Sequence, residues 1–139
     1  MKSSSIFLTL SLLSLTACST APKRHQTDAP TGDSETVMVT YHVQSGKEAA
    51  FQDLLSRAWA VYQSDQLVYD QPHVILRDQE DGGKPRFVEI VTWKSHYGPD
   101  YAPDAVKTLW TQMQSLCEAR DGHTAIEGGE VTLLSPPVK

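Results

Sequence analysis

Cysteine is nearly absent from this chain: two in 139 residues, Cys18 and Cys117. The fold must therefore rest on a hydrophobic core rather than on a disulfide framework. Long apolar runs are missing too. The longest, Ile6 to Leu15, has ten uncharged and mostly apolar residues, about half of the roughly 20 that cross a hydrocarbon core. Basic charge is also scarce, with 12 Lys and Arg against 17 Asp and Glu and a net charge of −5. Lys23-Arg24 is the only adjacent basic pair. Nucleic acid needs a basic face or stripe, so no nucleic-acid partner is expected. The same deficit removes electrostatic adhesion to anionic lipid.

What is present begins at the N-terminus. Lys2 precedes the apolar run, which closes on Leu15-Thr16-Ala17-Cys18 before Ser, Thr, Pro and basic residues take over. A charged start, a short apolar stretch and small residues at its end form a secretory signal. The last four residues resemble the lipobox of bacterial lipoproteins. That resemblance implies cleavage after residue 17, lipidation of Cys18 and attachment to a membrane through the lipid. Ser19 after the cysteine resembles the pattern of outer-membrane lipoproteins, implying a periplasm-facing location. The competing reading is an ordinary secretory signal with an incidental cysteine. Removing residues 1–17 would take away only Lys2, leaving 11 basic against 17 acidic side chains and a charge of −6. With Cys18 acylated, Cys117 has no partner for an internal disulfide.

Beyond Cys18 and the prolines, residues 18–36 contain no apolar side chain larger than alanine; such a segment cannot bury enough surface to order itself and reads as a tether. A domain is expected over residues 37–134, with a short tail at 135–139. Val37, Val39, Tyr41 and Val43 alternate with more polar residues, predicting a strand. Phe51, Leu54, Leu55, Ala58, Trp59 and Tyr62 then recur at helical spacing. Alternation returns from His73 to Asp78, and Asp81-Gly82-Gly83-Lys84 marks a turn into a third strand, Arg86 to Trp93. Pro103 suits a first helical turn, followed by a stripe of Val106, Leu109, Trp110, Met113, Leu116 and Cys117. Asp121-Gly122 ends that helix, and Glu130 to Leu134 closes as a last strand.

The order, strand, helix, strand, strand, helix, strand, is the split βαβ of an α+β ferredoxin-like fold: a four-stranded antiparallel sheet with both helices on one face. Choosing the more apolar parity of each strand places Val37, Val39, Tyr41, Val43, Val74, Leu76, Val88 and Ile90 under the helices. It leaves Met38, Thr40, His42, His73, Ile75, Arg77, Phe87, Glu89, Val91 and Trp93 on the open face, a mixture suited to a ligand pocket or a partner. This parity requires an odd-length loop or a bulge at the Gly82-Gly83 turn.

Three stretches carry a further resemblance: the first strand with Ser45-Gly46-Lys47-Glu48, the helix opening Ala49-Ala50-Phe51, and Glu89-Ile90-Val91-Thr92-Trp93-Lys94-Ser95. Over residues 37–134 the chain resembles the dimeric α+β barrels of the antibiotic-biosynthesis-monooxygenase type. That implies a homodimer paired through open sheet faces, with a small pocket in each copy. The haem-degrading members resemble it at Trp93 but also use an Asn on the first strand and a His on the second helix, and this chain has neither. Other members are cofactor-independent oxygenases, which implies no cofactor and a proton-transfer group beside the substrate.

Catalytic candidates are His42, His73 and Glu89; ligand-binding candidates are Thr40, Arg77, Phe87, Val91 and Trp93, with Arg77 able to hold an anionic oxygen. Each has a plainer reading: a cross-strand ion pair for Glu89 and Arg77, solvated strand residues for the histidines, and an interface or pocket wall for Trp93. His42, His73 and Glu89 lack tight metal-ligand spacing, so no metal is expected. Cys117 reads as a small buried hydrophobe, and His96, Tyr97 and Tyr101 as a loop able to cover a pocket mouth. Two functions follow. One is a lipid-anchored envelope protein that binds a small apolar or aromatic ligand, or an envelope partner, without catalysis. The alternative is a cofactor-independent monooxygenase acting on an aromatic or polyketide-like molecule.

Overall fold

The computed structural model describes residues 32–134, so the Cys18 lipidation site and most of the expected tether lie outside the described residues. Strand β1 runs over Glu35–His42, helix α1 over Glu48–Ser64, β2 over Val68–Glu80, β3 over Lys84–Trp93, helix α2 over Asp104–Ser115 and β4 over Ile126–Glu130. The strands form one antiparallel sheet in the order β2-β3-β1-β4. This is the ferredoxin-like arrangement. No described helix is long and apolar enough to cross a membrane.

Both helices form where the apolar spacing predicts them. The α1 stripe buries Phe51, Leu54, Leu55, Ala58 and Tyr62, and α2 buries Val106, Leu109 and Met113. Helix α2 ends earlier than the stripe suggests: Cys117 lies past it, in an antiparallel bridge with Val43. Burial pushes the Cys117 thiol up to about 11, against the pull of the Arg120 charge, so it is protonated and inert at neutral pH. β2 starts five residues before His73, because an irregularity between Val68 and His73 lets Val68 pair with Trp93 and His73 with Val91. β4 forms four residues earlier than expected, on Ile-Glu-Gly-Gly-Glu, which has little strand propensity of its own and is held by pairing with β1.

The expected parity needs one correction. The turn Asp81–Gly83 has three residues, and Arg77 pairs with Phe87 and Leu76 with Val88, so the internal register of the hairpin is as expected. The whole hairpin is inverted relative to β1. Val37, Val39 and Tyr41 stand in register with Val91, Glu89 and Phe87, and it is Phe87, Glu89, Val91 and Trp93, each no more than 3 % exposed, that face the helices. Val74, Leu76, Val88 and Ile90 take the open face with Met38 and Thr40. Both parities of β3 contain apolar residues, so counting them does not decide. Ring volume decides: Phe87 packs 5.2 Å from Phe51, and Trp93 lies 5.1 Å from Tyr62 and 6.1 Å from Trp110, filling space between sheet and helices that aliphatic side chains would leave empty.

Phe87→Ala is therefore expected to cost about 3–5 kcal/mol, as a large cavity does. Leu76→Ala on the open face should cost about 0.5 kcal/mol or less for a single chain. Urea denaturation at low protein concentration measures both.

Candidate functional site

Inverting the hairpin moves the expected pocket to the other side of the sheet. A cavity of about 470 Å³ opens between the sheet, helix α2 and the loop before it. Its walls are Val37, Val39, Val91 and Ile126 from the strands, Met113 from α2, and the rings of Tyr41, Tyr62, Trp93 and Trp110. Gly128 of β4 pairs with Val39 on this face. A Cβ there would meet nothing nearer than Val39 at 3.7 Å and the Met38 carbonyl at 3.9 Å, so the missing side chain leaves room that the cavity uses. Gly98 is glycine for a different reason. A Cβ at this position would lie 2.8 Å from Trp93 Cε3, so the loop can press on the indole only because position 98 has none.

Of the carboxylates that line the cavity, one is buried in its wall. Glu89, 2 % exposed, takes a hydrogen bond from the Tyr41 hydroxyl to Oε2 at 2.9 Å and has His73 Nε2 at 3.1 Å from Oε1. Burying a carboxylate is costly unless it is hydrogen-bonded or paired, and these two partners supply that. His73 is fixed in turn by Trp59 of α1, whose ring stacks on it at 3.6 Å and 8°. Glu89 lines the cavity, whereas His73 lies behind it toward the β2 edge. The chain of contacts thus runs from the cavity through Glu89 to His73.

Tyr41 serves as a donor and Tyr62 as an acceptor. Burial, reinforced by the Glu89 charge, holds the Tyr41 hydroxyl well above its usual value, and the same two causes raise Tyr62 while the bond from Trp110 pulls it down. Tyr62 accepts the Trp110 indole N–H, which ties α1 to α2 across the cavity. The indole N–H of Trp93 is buried without a partner among the described residues.

The sequence candidates separate accordingly. Glu89, Val91 and Trp93 line the cavity, and His73 reaches it through Glu89. Phe87 is core. Thr40 and His42 are corrections: β1 points them to the opposite face, in line with Val88 and Arg86. Arg77 is another, because Ile75 rather than Arg77 stands opposite Glu89, and the guanidinium lies 5.7 Å over the Phe87 ring. His96 joins Pro99 and Asp100 at the mouth, while Tyr97 and Tyr101 are exposed. Composition alone hid Tyr41, Tyr62 and Trp110, since core-facing aromatics at helical and strand spacing read first as packing. The one available signal was the concentration of Trp and Tyr with a single Glu on the same side.

Several solved structures share this fold. SnoaB, a cofactor-independent oxygenase from Streptomyces nogalater, in a variant form, matches at TM-score 0.56 and 19 % identity, covering 77 % of this chain and 99 % of that one. A protein described as an antibiotic biosynthesis monooxygenase from Nitrosomonas europaea matches at 0.54 and 18 %, over 76 % and 95 %. Rv0793 from Mycobacterium tuberculosis matches at 0.53 and 10 %, over 76 % and 99 %. The chain has the antibiotic-biosynthesis-monooxygenase-like fold. No protein-family model and no curated protein matches the sequence.

Two outcomes check the site. In an alkaline titration followed by tyrosinate absorbance, Tyr41 and Tyr62 should stay protonated in the folded domain past the ordinary value of 10.0. Their contribution to stability is complete below that pH and is lost as the pH rises through the raised folded values, so ionisation of both should coincide with unfolding. Gly98→Ala should cost about 1–3 kcal/mol by overpacking and shift the tryptophan fluorescence.

Proposed function

We propose that this domain is a small-molecule enzyme of the cofactor-independent oxygenase kind, acting on an aromatic or polyketide-like compound held between Tyr62, Trp93 and Trp110. The observation that carries this reading is Glu89, the one buried carboxylate among those lining the cavity and a proton acceptor set among aromatic and aliphatic side chains, with His73 behind it to relay the proton. The substrate supplies the electrons that dioxygen takes up; the protein has to orient the ring, exclude water and accept the proton whose loss makes the ring electron-rich. Tyr41 keeps the carboxylate in place and stays protonated itself. The SnoaB likeness in fold supports the reading. Binding without turnover needs only the aromatic walls, and Glu89 is what favours chemistry over simple capture.

The charge around the cavity narrows the substrate. Glu35, Glu89, Asp100 and Glu130 line it, and no Lys or Arg does. Neutral or amine-bearing rings fit such a wall, and anionic ones are repelled. We place the domain at the outer membrane, on the periplasmic side, with Cys18 as the lipid-bearing residue, and pair it with a second copy through the open face. Support for the pairing is the exposure there of Met38, Val74 and Leu76, at 41 %, 38 % and 54 %, an apolar strip of the kind that marks an interface.

The test is oxygen uptake with a panel of polycyclic phenols and enolisable aromatic ketones, neutral and amine-bearing. A compound that raises the melting temperature should also drive oxygen consumption, and Glu89→Gln should cut that rate by about 10²-fold or more while leaving binding in place. Gly128→Leu should block binding by filling the cavity. Uptake that survives Glu89→Gln would remove the proposed proton acceptor, and binding that survives Gly128→Leu would place the ligand elsewhere.

A further inference from the structure

On the open-face side, at the end of β1 distant from Glu35, a second cluster of ionisable groups surrounds His42. It shares no residue with the aromatic cavity. His42 is 2 % exposed, yet neither ring nitrogen has a hydrogen-bond partner. Carboxylates nonetheless stand close. Glu80 Oε1 is 2.9 Å from Nδ1 but off the direction of a hydrogen bond, and Glu127 Oε2, 3.8 Å from Nε2, is beyond its reach. His123 completes the group, its ring centroid 5.5 Å from that of His42 and its Nδ1 2.9 Å from Glu127 Oε1. One donor atom each from His42, His123 and Glu127 lies within 4.8 Å of the others.

The backbone presents these donors for local reasons. Thr40 and Glu127 are opposite each other on β1 and β4, so Glu127 and His42 project to the same face two residues apart along the register. His123 sits at the end of the turn Arg120-Asp121-Gly122-His123, with φ of 40° at Asp121 and 89° at Gly122. Positive φ at both central residues gives a tight hairpin turn of the primed kind, closed by Arg120 N–H to His123 O at 3.1 Å and His123 N–H to Arg120 O at 2.6 Å. The buried Arg120 pins that turn to the sheet. Its guanidinium donates to Glu80, Glu118, the Pro85 carbonyl and the Val43 carbonyl. Glu80 is thereby neutralised and held beside His42.

We propose that His42, His123 and Glu127 form a binding site for a divalent transition metal of the zinc class. Two imidazoles and one carboxylate are a familiar zinc donor set that leaves a fourth position open. Tetrahedral donors about 2.0–2.1 Å from zinc stand about 3.3 Å apart, so the cluster closes on a metal by side-chain rotation without moving the strands. With a metal on Nε2, Glu80, 2.9 Å from Nδ1, is placed to take the His42 Nδ1–H bond, the arrangement that normally orients a metal-bound histidine. The idle ring nitrogens of His42 and the nearly aligned Glu80 are both accounted for. A bound metal would also fasten the 120–123 turn to β1 and β4.

Titration of the untagged, chelator-treated full chain with Zn²⁺ by calorimetry, and with Co²⁺ followed by visible absorption, tests the site. One saturable equivalent per chain is expected, with Co²⁺ bands typical of nitrogen and oxygen ligands. His123→Ala and Glu127→Gln, both at accessible positions, should each weaken binding by about tenfold or more, and Glu80→Gln by about tenfold. His73→Ala, on the opposite face, should bind as the wild type does. Absence of a saturable equivalent in the wild type, or wild-type binding by either His123→Ala or Glu127→Gln, overturns the proposal.

Discussion

The hydrogen bonds to the buried Glu89 carboxylate are the constraint on which this molecule turns. A carboxylate facing the helices of a two-layer α+β domain is costly unless it is satisfied. Tyr41 from β1 and His73 from β2 satisfy it from either side, because β3 lies between those two strands in the sheet. The same two contacts let Glu89 turn inward on the face that the Phe87 and Trp93 rings select. With Glu89 pointing to the helices, Phe87, Val91 and Trp93 must follow, and Val88 and Ile90 must turn outward. The position of the cavity, its aromatic wall and the apolar strip on the outer face are all consequences of that choice.

Helix α1 contributes more than a stripe of core residues. Trp59 stacks on His73, and Tyr62 takes the Trp110 indole hydrogen bond from α2. One turn of a helix thus orients both the group behind Glu89 and the far wall of the cavity. On the other side Gly128 supplies space by having no side chain, and Gly98 lets the loop over Trp93 come close. The cavity is therefore walled by one large ring from each helix, Tyr62 and Trp110, and by Tyr41 and Trp93 of the sheet, with room left by Gly128.

Much of the fold is legible in the sequence, and much of the site is not. The two helical stripes, the alternation in β1 and the Gly82-Gly83 turn announce the order of elements, because each is a local pattern of period or turn chemistry. The parity of the hairpin is not local. It depends on a cross-strand register and on ring volume, and it carried His42 and Thr40 to the face opposite His73 and Glu89. β4 lies ahead of the strand pattern, because Ile126 to Glu130 has almost no strand signal of its own while Val131 to Leu134 does. Trp93 and Glu89 could be singled out from their place at the end of an alternating run. Tyr41 and Tyr62 could not, since a partner for a hydroxyl is a fact of three dimensions.

The placement of ligand on the helix side of the sheet is tested most directly by the three tryptophan indole N–H signals in a nitrogen-edited NMR spectrum. When the domain is saturated with an aromatic compound from the panel, the signals of Trp93 and Trp110 should shift strongly, with little change in the backbone of Met38, Val74 and Leu76. Shifts confined to those open-face residues, with both indoles unmoved, would contradict the account.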